Sequence, residues 1–260
     1  MDIAAGASFP STPPPLVSGR PVPWTPRDVL IGVALFVVAL VGVPLLLALP
    51  FLPLAFMYGS KSQPFLFASL VVVAPAYIAI ALIAVRMTFR KYGGGWARLG
   101  FARPTWATVG WGAAALFAAF ALSSIYVGLV SYFDLGFLKQ GCDDQVQAEI
   151  RNHALLLATT SVLAAVFAPV CEETFFRGFV FPGIARAWGP AAGIIVSGVL
   201  FGSAHLVGNP MLYKSMIQFA GIGMIFAFVY WRSGNIFSSM LAHFAFNLVG
   251  VITIASTTCK

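Results

Sequence analysis

Only two carboxylates lie between Ala154 and Lys260, and they are adjacent: Glu172 and Glu173, in the run Ala168-Pro-Val-Cys-Glu-Glu-Thr-Phe-Phe-Arg177. Apolar residues flank them on both sides. One charge at membrane depth costs roughly 2.5–3.5 kcal/mol on insertion scales, and neighbouring carboxylates repel. On a helix, Glu173 and Arg177 stand four apart on one face, so the guanidinium is expected to pair with Glu173 and keep it ionised. Glu172 lies about 100° further round the helix and is left to face something else. One carboxylate would then be structural and the other a base. A plainer alternative is that both glutamates clamp Arg177 inside an apolar bundle.

Two further polar sites follow. His205 ends an apolar run in Leu200-Phe-Gly-Ser-Ala-His205, and His243 and Asn247 share one helical face in Leu241-Ala-His-Phe-Ala-Phe-Asn247. Each has a simple reading, an interfacial histidine in the first case and interhelical hydrogen bonds in the second. Together, on three successive apolar runs, they supply a carboxylate pair, two imidazoles and an amide. Those are the parts for hydrolysis by an activated water: a base, and donors for a developing oxyanion. His153 sits among Asp143, Asp144, Glu149 and Arg151 and reads as a solvated loop histidine.

The elements that must carry these groups are membrane helices. The 260-residue chain is 60% hydrophobic and 9% charged, with mean hydropathy +0.91, whereas soluble domains carry about 25% charged residues. The expected fold is all-α, a polytopic transmembrane helix bundle. Apolar runs fall at 29–58, 64–86, 105–132, 154–180, 189–206, 215–231 and 236–256, giving seven spans, or eight if a long stretch divides. Prolines at 44, 50 and 53 predict a kink or break near the end of the first run. Residues 1–28, centred on Pro13-Pro14-Pro15, read as a disordered Pro-rich arm without the basic-then-apolar start of a signal peptide. The remainder divides into N-terminal helices and loops (29–153) and a C-terminal core (154–257). Cys142, Cys171 and Cys259 show neither CxxC nor metal-finger spacing and read as free thiols.

The net charge of +7 does not point to nucleic acid, because the basic residues lie in short loops between apolar runs. With the N-terminus inside, ten Lys and Arg residues (20, 27, 86, 90, 91, 98, 103, 177, 186 and 232) fall on inner loops. Five (61, 139, 151, 214 and 260) fall on outer ones. That asymmetry predicts a cytoplasmic N-terminus. It also sets a puzzle, since Glu172 then lies toward the inner end of its span and His205 toward the outer end of the next. For them to meet, 154–188 must be one long helix kinked at Pro169, or partly re-entrant.

Glu172-Glu173-x-x-x-Arg177, Phe201-x-x-x-His205 and His243-x-x-x-Asn247 resemble, in order and spacing, the three motifs of the CPBP family. This family includes the CAAX-type prenyl endopeptidases and the bacterial Abi or Rce1-like proteins of bacteriocin processing and self-immunity. The stretch Trp96–Pro104 looks like the short amphipathic segment that the family has between early spans. The resemblance covers about 154–251 and implies a multi-pass protein of the bacterial cytoplasmic membrane acting on a membrane-embedded or lipid-anchored protein or peptide. It further implies that Glu172, helped by His205, activates the attacking water. Glu173 and Arg177 would support the site, and His243 and Asn247 would stabilise the oxyanion. No cofactor is required in that version. In the alternative, His205, His243 and Glu172 or Glu173 form a His₂Glu set for Zn²⁺; Asn247, a poor zinc ligand and a good oxyanion donor, favours the metal-free version. A non-proteolytic scaffold or immunity protein of the same fold is the second reading, and a transporter or proton relay a third.

Overall fold

The computed structural model describes residues 22–141, 146–208 and 210–256. Most of the described residues are helical, with no strand among them. The helices are α1 (Pro26–Ala48), α2 (Leu52–Tyr58), α3 (Gln63–Val71), α4 (Val73–Val85) and α5 (Trp106–Tyr132). They continue with α6 (Ala148–Arg151), α7 (Ala154–Val162), α8 (Ala168–Phe175), α9 (Phe181–Gly208), α10 (Met216–Ser233) and α11 (Ile236–Ser256). Six helical stretches are long and apolar enough to cross a membrane. One of them, Ala154–Val207, has 54 residues. At about 1.5 Å per residue that far exceeds one bilayer. It breaks at Gly189, whose φ of 81° leaves the helical region, and Pro190 starts the next helix. Six is close to the seven or eight spans expected; the 54-residue stretch takes in two of the apolar runs, 154–180 and 189–206, on either side of that break. Pro50 sits in the 3₁₀ turn Leu49–Phe51 that separates α1 from α2, where the break was expected.

The start of the first helix corrects the expected arm. Residues 1–21 lie outside the described residues, but Val22 and Trp24 are buried and α1 already begins at Pro26. Composition misled here because the Pro-rich stretch ends in a helix start. Thr25 and Asp28 form a capping box, with Asp28 accepting from the Thr25 amide at 2.8 Å and Pro26 at the first helical position. Asp28 also accepts from Tyr92 Oη at 2.7 Å and from Lys91. The hydrogen bond to Asp28 holds the Lys91 ammonium above its ordinary pKa.

The C-terminal helices sit against the N-terminal ones. α8 packs on α4 and α11, α9 on α1 and α10, and α11 on α5. The largest apolar cluster joins Trp24, Phe36, Phe175, Phe176, Phe179 and Phe201. α9 and α10 approach to backbone contact: a Cβ on Gly198 would lie 2.8 Å from the Ala220 carbonyl oxygen, and one on Gly202 would lie 2.7 Å from the Ala220 nitrogen. Small residues four apart permit such approach where lipid removes the hydrophobic drive between helices. The cysteine reading holds for Cys171, a buried free thiol; Cys142 and Cys259 lie outside the described residues.

Candidate active site

The stretch from Ala154 to Trp188 is one long helical run, as the His205 puzzle required, but its irregularities are two π turns rather than a plain proline kink. They span Leu163–Phe167 and Phe176–Val180 and bracket α8, which carries Glu172 and Glu173. Pro169 stands two residues after the first turn, at the start of α8. Having no N–H to give Ala165, and a ring that crowds that carbonyl, proline fits where the ladder has already widened.

Glu173 is fully buried and faces inward. Its Oε1 accepts from Arg177 Nη1 at 2.9 Å, and His243 Nδ1 lies at the same distance. The pairing of Glu173 with Arg177, expected from their spacing, is present; the approach of His243 was not foreseen. Arg177 is also fully buried, and its Nη2 donates to the Gly223 carbonyl at 2.9 Å. The guanidinium stacks near three rings, 4.5 Å from the Phe201 centroid, 5.4 Å from Phe226 and 5.9 Å from Phe176. Such cation–π contacts are stronger in a dry interior. The charge count of inner loops thus loses Arg177, which belongs to the bundle interior.

Glu172 is half-buried and points elsewhere. Its Oε2 is enclosed and has no hydrogen-bond partner. It lies within electrostatic reach of His205, Arg177 and Tyr77. His205 sits on α9 with Nδ1 2.9 Å from the Phe201 carbonyl and its ring stacked on Phe219 at 4.5 Å. A carbonyl only accepts, so Nδ1 carries the hydrogen and Nε2 presents a lone pair when the ring is neutral. The same logic applies to His243. Its Nδ1 faces a carboxylate oxygen that Arg177 already engages, so Nδ1 donates. Nε2 of His243 can donate to a substrate oxygen only as the imidazolium.

Asn247 stands one turn beyond His243 on α11, half-buried, and its Nδ2 donates to the Ala164 carbonyl at 2.7 Å. That carbonyl belongs to the first π turn region, so the amide is partly engaged in holding the backbone. His153 is half-buried at the start of α7 with an enclosed, partnerless Nδ1, and so is less solvated than its charged neighbours in sequence suggested. Sequence reading missed Tyr77, Gly223, Phe226, Ser197 and Trp24. The first four join the site across helix interfaces and carry no local signal. Trp24 is an aromatic residue within a Pro-rich segment, and that was a signal available to be read.

The zinc alternative finds no ready ligand set. Among the described residues no three His, Cys, Asp or Glu side chains are grouped as a metal ion requires. Glu173 and His243 are instead bonded to each other, and Arg177 holds the carboxylate. The residues so arranged do not fit a His₂Glu centre.

Residues 154–249 match the family model described as type II CAAX prenyl endopeptidase Rce1-like. The chain is also 24% identical over 142 residues to YdiL of Bacillus subtilis (strain 168), a protein provisionally named a membrane peptidase. That alignment takes in 55% of this chain and 54% of YdiL, so the chain spans about half the length of the curated relative it matches. No solved structure matches the chain. All six candidate residues lie within the segment, 154–249, that matches the Rce1-like family model.

Proposed function

We propose that the chain is an intramembrane endopeptidase that hydrolyses a peptide bond in a membrane-associated protein or peptide, with Glu172 as the base. The observation that carries this reading is the division of labour between adjacent carboxylates. Glu173 is bonded through Oε1 to Arg177 and His243, while Glu172, one residue away, takes neither partner; each keeps an enclosed Oε2 with no hydrogen bond. A water held between Glu172 and the Nε2 lone pair of His205 would lose a proton to Glu172 as its oxygen attacks the scissile carbonyl carbon. The resulting oxyanion would be met by the second Nδ2 hydrogen of Asn247 and, when the His243 ring carries hydrogen on both nitrogens, by Nε2–H of His243. Glu172 would then pass its proton to the leaving nitrogen as the oxyanion collapses and the C–N bond breaks, releasing an amine and a carboxylic acid that loses its proton to solvent. No step runs through a metal. CAAX-type processing and bacteriocin or other peptide processing are the substrate classes this reading covers. The site of action is a bacterial cytoplasmic membrane with the chain's N-terminus inside.

One observation favours a second reading, a scaffold or immunity protein of the same fold. Glu173, Arg177 and His243 are so enclosed that they form a structural knot in their own right. The deciding experiment is cleavage of a peptide library by detergent-purified protein, wild type beside Glu172→Gln, each with and without chelator. Loss of cleavage in a folded Glu172→Gln protein, with wild-type cleavage indifferent to chelator, is the expected outcome. Cleavage that survives Glu172→Gln removes Glu172 from the base role, and cleavage that chelation abolishes and zinc restores replaces the metal-free step. No cleavage by wild type turns the reading to the scaffold.

A further inference from the structure

The two π turns around the glutamate pair have carbonyls taken up by side chains from elsewhere in the bundle. A π turn interrupts the regular i→i+4 ladder, and a buried carbonyl left over must find another donor. In the turn Phe176–Val180, the Phe176 carbonyl accepts from Ser197 Oγ at 3.1 Å and the Phe179 carbonyl accepts from Trp24 Nε1 at 2.9 Å. Ser197 comes from α9 and Trp24 from the segment before α1. Arg177, the partner of Glu173, lies between the two anchored carbonyls in sequence.

Trp24 is itself held firmly. Its side chain has no exposed surface, and its ring centroid is 6.1 Å from that of Phe179. Arg186 donates to the carbonyls of Pro23 and Trp24. Gly183 leaves the slot open, since a Cβ there would lie 2.7 Å from the indole. Ser197 is fully buried too.

We propose that Trp24 and Ser197 are positioning residues for the carboxylate pair. By holding the carbonyls of Phe179 and Phe176 they keep the 176–180 turn wide. That fixes the rotation at which Arg177 reaches Glu173 and the Gly223 carbonyl together, while Glu172 is turned away from both. Closing the turn to α spacing would rotate α8 against α9 by one residue, roughly 100°, and would break that arrangement. The kinetic consequence rests on the proteolytic reading above; the structural one does not.

The test uses Trp24→Phe, which keeps a ring in the slot and removes the N–H, with Ser197→Ala, and with Ser197→Thr as the variant that retains a hydroxyl. Two readouts are taken on full-length protein. One is cleavage of a library-derived peptide, separated into kcat and KM, beside the melting temperature. The other is the rate at which a maleimide labels Cys171, which is 6% exposed and directly precedes Glu172, with Cys142 and Cys259 replaced by Ser. The expected result for Trp24→Phe with Ser197→Ala is a kcat about tenfold lower, the scale of one or two lost hydrogen bonds. KM should stay near wild type, the melting temperature should fall because two buried carbonyls lose their donors, Cys171 labelling should be several-fold faster, and Trp24→Phe with Ser197→Thr should regain part of these losses. A lower melting temperature with kcat unchanged, or a Cys171 rate equal to wild type, overturns the proposal. If wild type cleaves no peptide, the proteolytic reading fails separately and Cys171 decides alone: faster labelling supports the positioning role and unchanged labelling overturns it.

Discussion

Arg177 binds the site together at the scale of single residues. It donates to Glu173 and to the backbone of α10 at once, and its flat face lies against Phe201 and Phe226. Arg177→Ala is expected to cost about 3–5 kcal/mol, because a fully buried Glu173 would lose its counter-charge. Arg177→Lys should not restore it, since one ammonium lacks the planar fork that spans both acceptors. Thermal unfolding in detergent measures both; melting at the parent temperature would show that the pair carries no structural load. Asn247→Ala should lower turnover and stability together, because it also strips the Ala164 carbonyl of its donor. Loss of substrate affinity alone would remove Asn247 from the oxyanion role. How far these residues were readable follows from where their partners lie. The Glu173–Arg177 pair is set by helix geometry alone and could be read from spacing. The His243–Glu173 contact spans 70 positions, so it depends on how α11 meets α8, which no local pattern encodes.

Two glycines do at the scale of elements what polar residues do at the site. Gly198 and Gly202 let α9 meet the backbone of α10, and Gly223 supplies from that interface both a close contact with Gly198 and the carbonyl that Arg177 uses. Gly202→Leu should therefore separate α9 from α10 and draw the Gly223 carbonyl away from the guanidinium. We expect a loss of about 1–3 kcal/mol in stability, with cleavage reduced as well. A variant that melts and cleaves like the parent would show that the contact is incidental. The Gly-x-x-x-Gly pattern was present in the sequence, although spacing does not say which helix it faces. Apolar length predicted seven or eight spans where six stretches are found, the difference lying in the long stretch that breaks at Gly189. The π turns were not legible: their sequences, Leu163–Phe167 and Phe176–Val180, are ordinary apolar helix, and the side-chain donors that accompany them come from distant elements.

The whole molecule has two chemically distinct ends, tied by different contacts. At one end, Asp28 joins Lys91 and Tyr92, Arg186 holds Pro23 and Trp24, and the Ile236 amide bonds the Gly100 carbonyl. At the other, Lys61 pairs with Glu149 at 2.6 Å, Gln140 bonds Ser215, and Tyr213 bonds the Phe137 carbonyl at 3.1 Å. The Arg86–Arg103 cluster belongs to the first end, and Lys61, Lys139, Arg151 and Lys214 belong to the second. Taking Arg177 out of the loop count leaves this asymmetry intact. An excess of Lys and Arg in short loops sets the cytoplasmic side, so the end that carries Trp24 and the basic cluster is expected to face the cytoplasm. Single cysteines at position 61 and position 98, in a chain otherwise free of cysteine, test this in intact cells with a membrane-impermeant maleimide. Lys61→Cys should label at once, and Arg98→Cys only after the membrane is opened. The reverse pattern would put the N-terminus outside. It would also move the Trp24 anchor, and with it the inner end of the carboxylate helix, to the opposite face of the bilayer from the one the charges select.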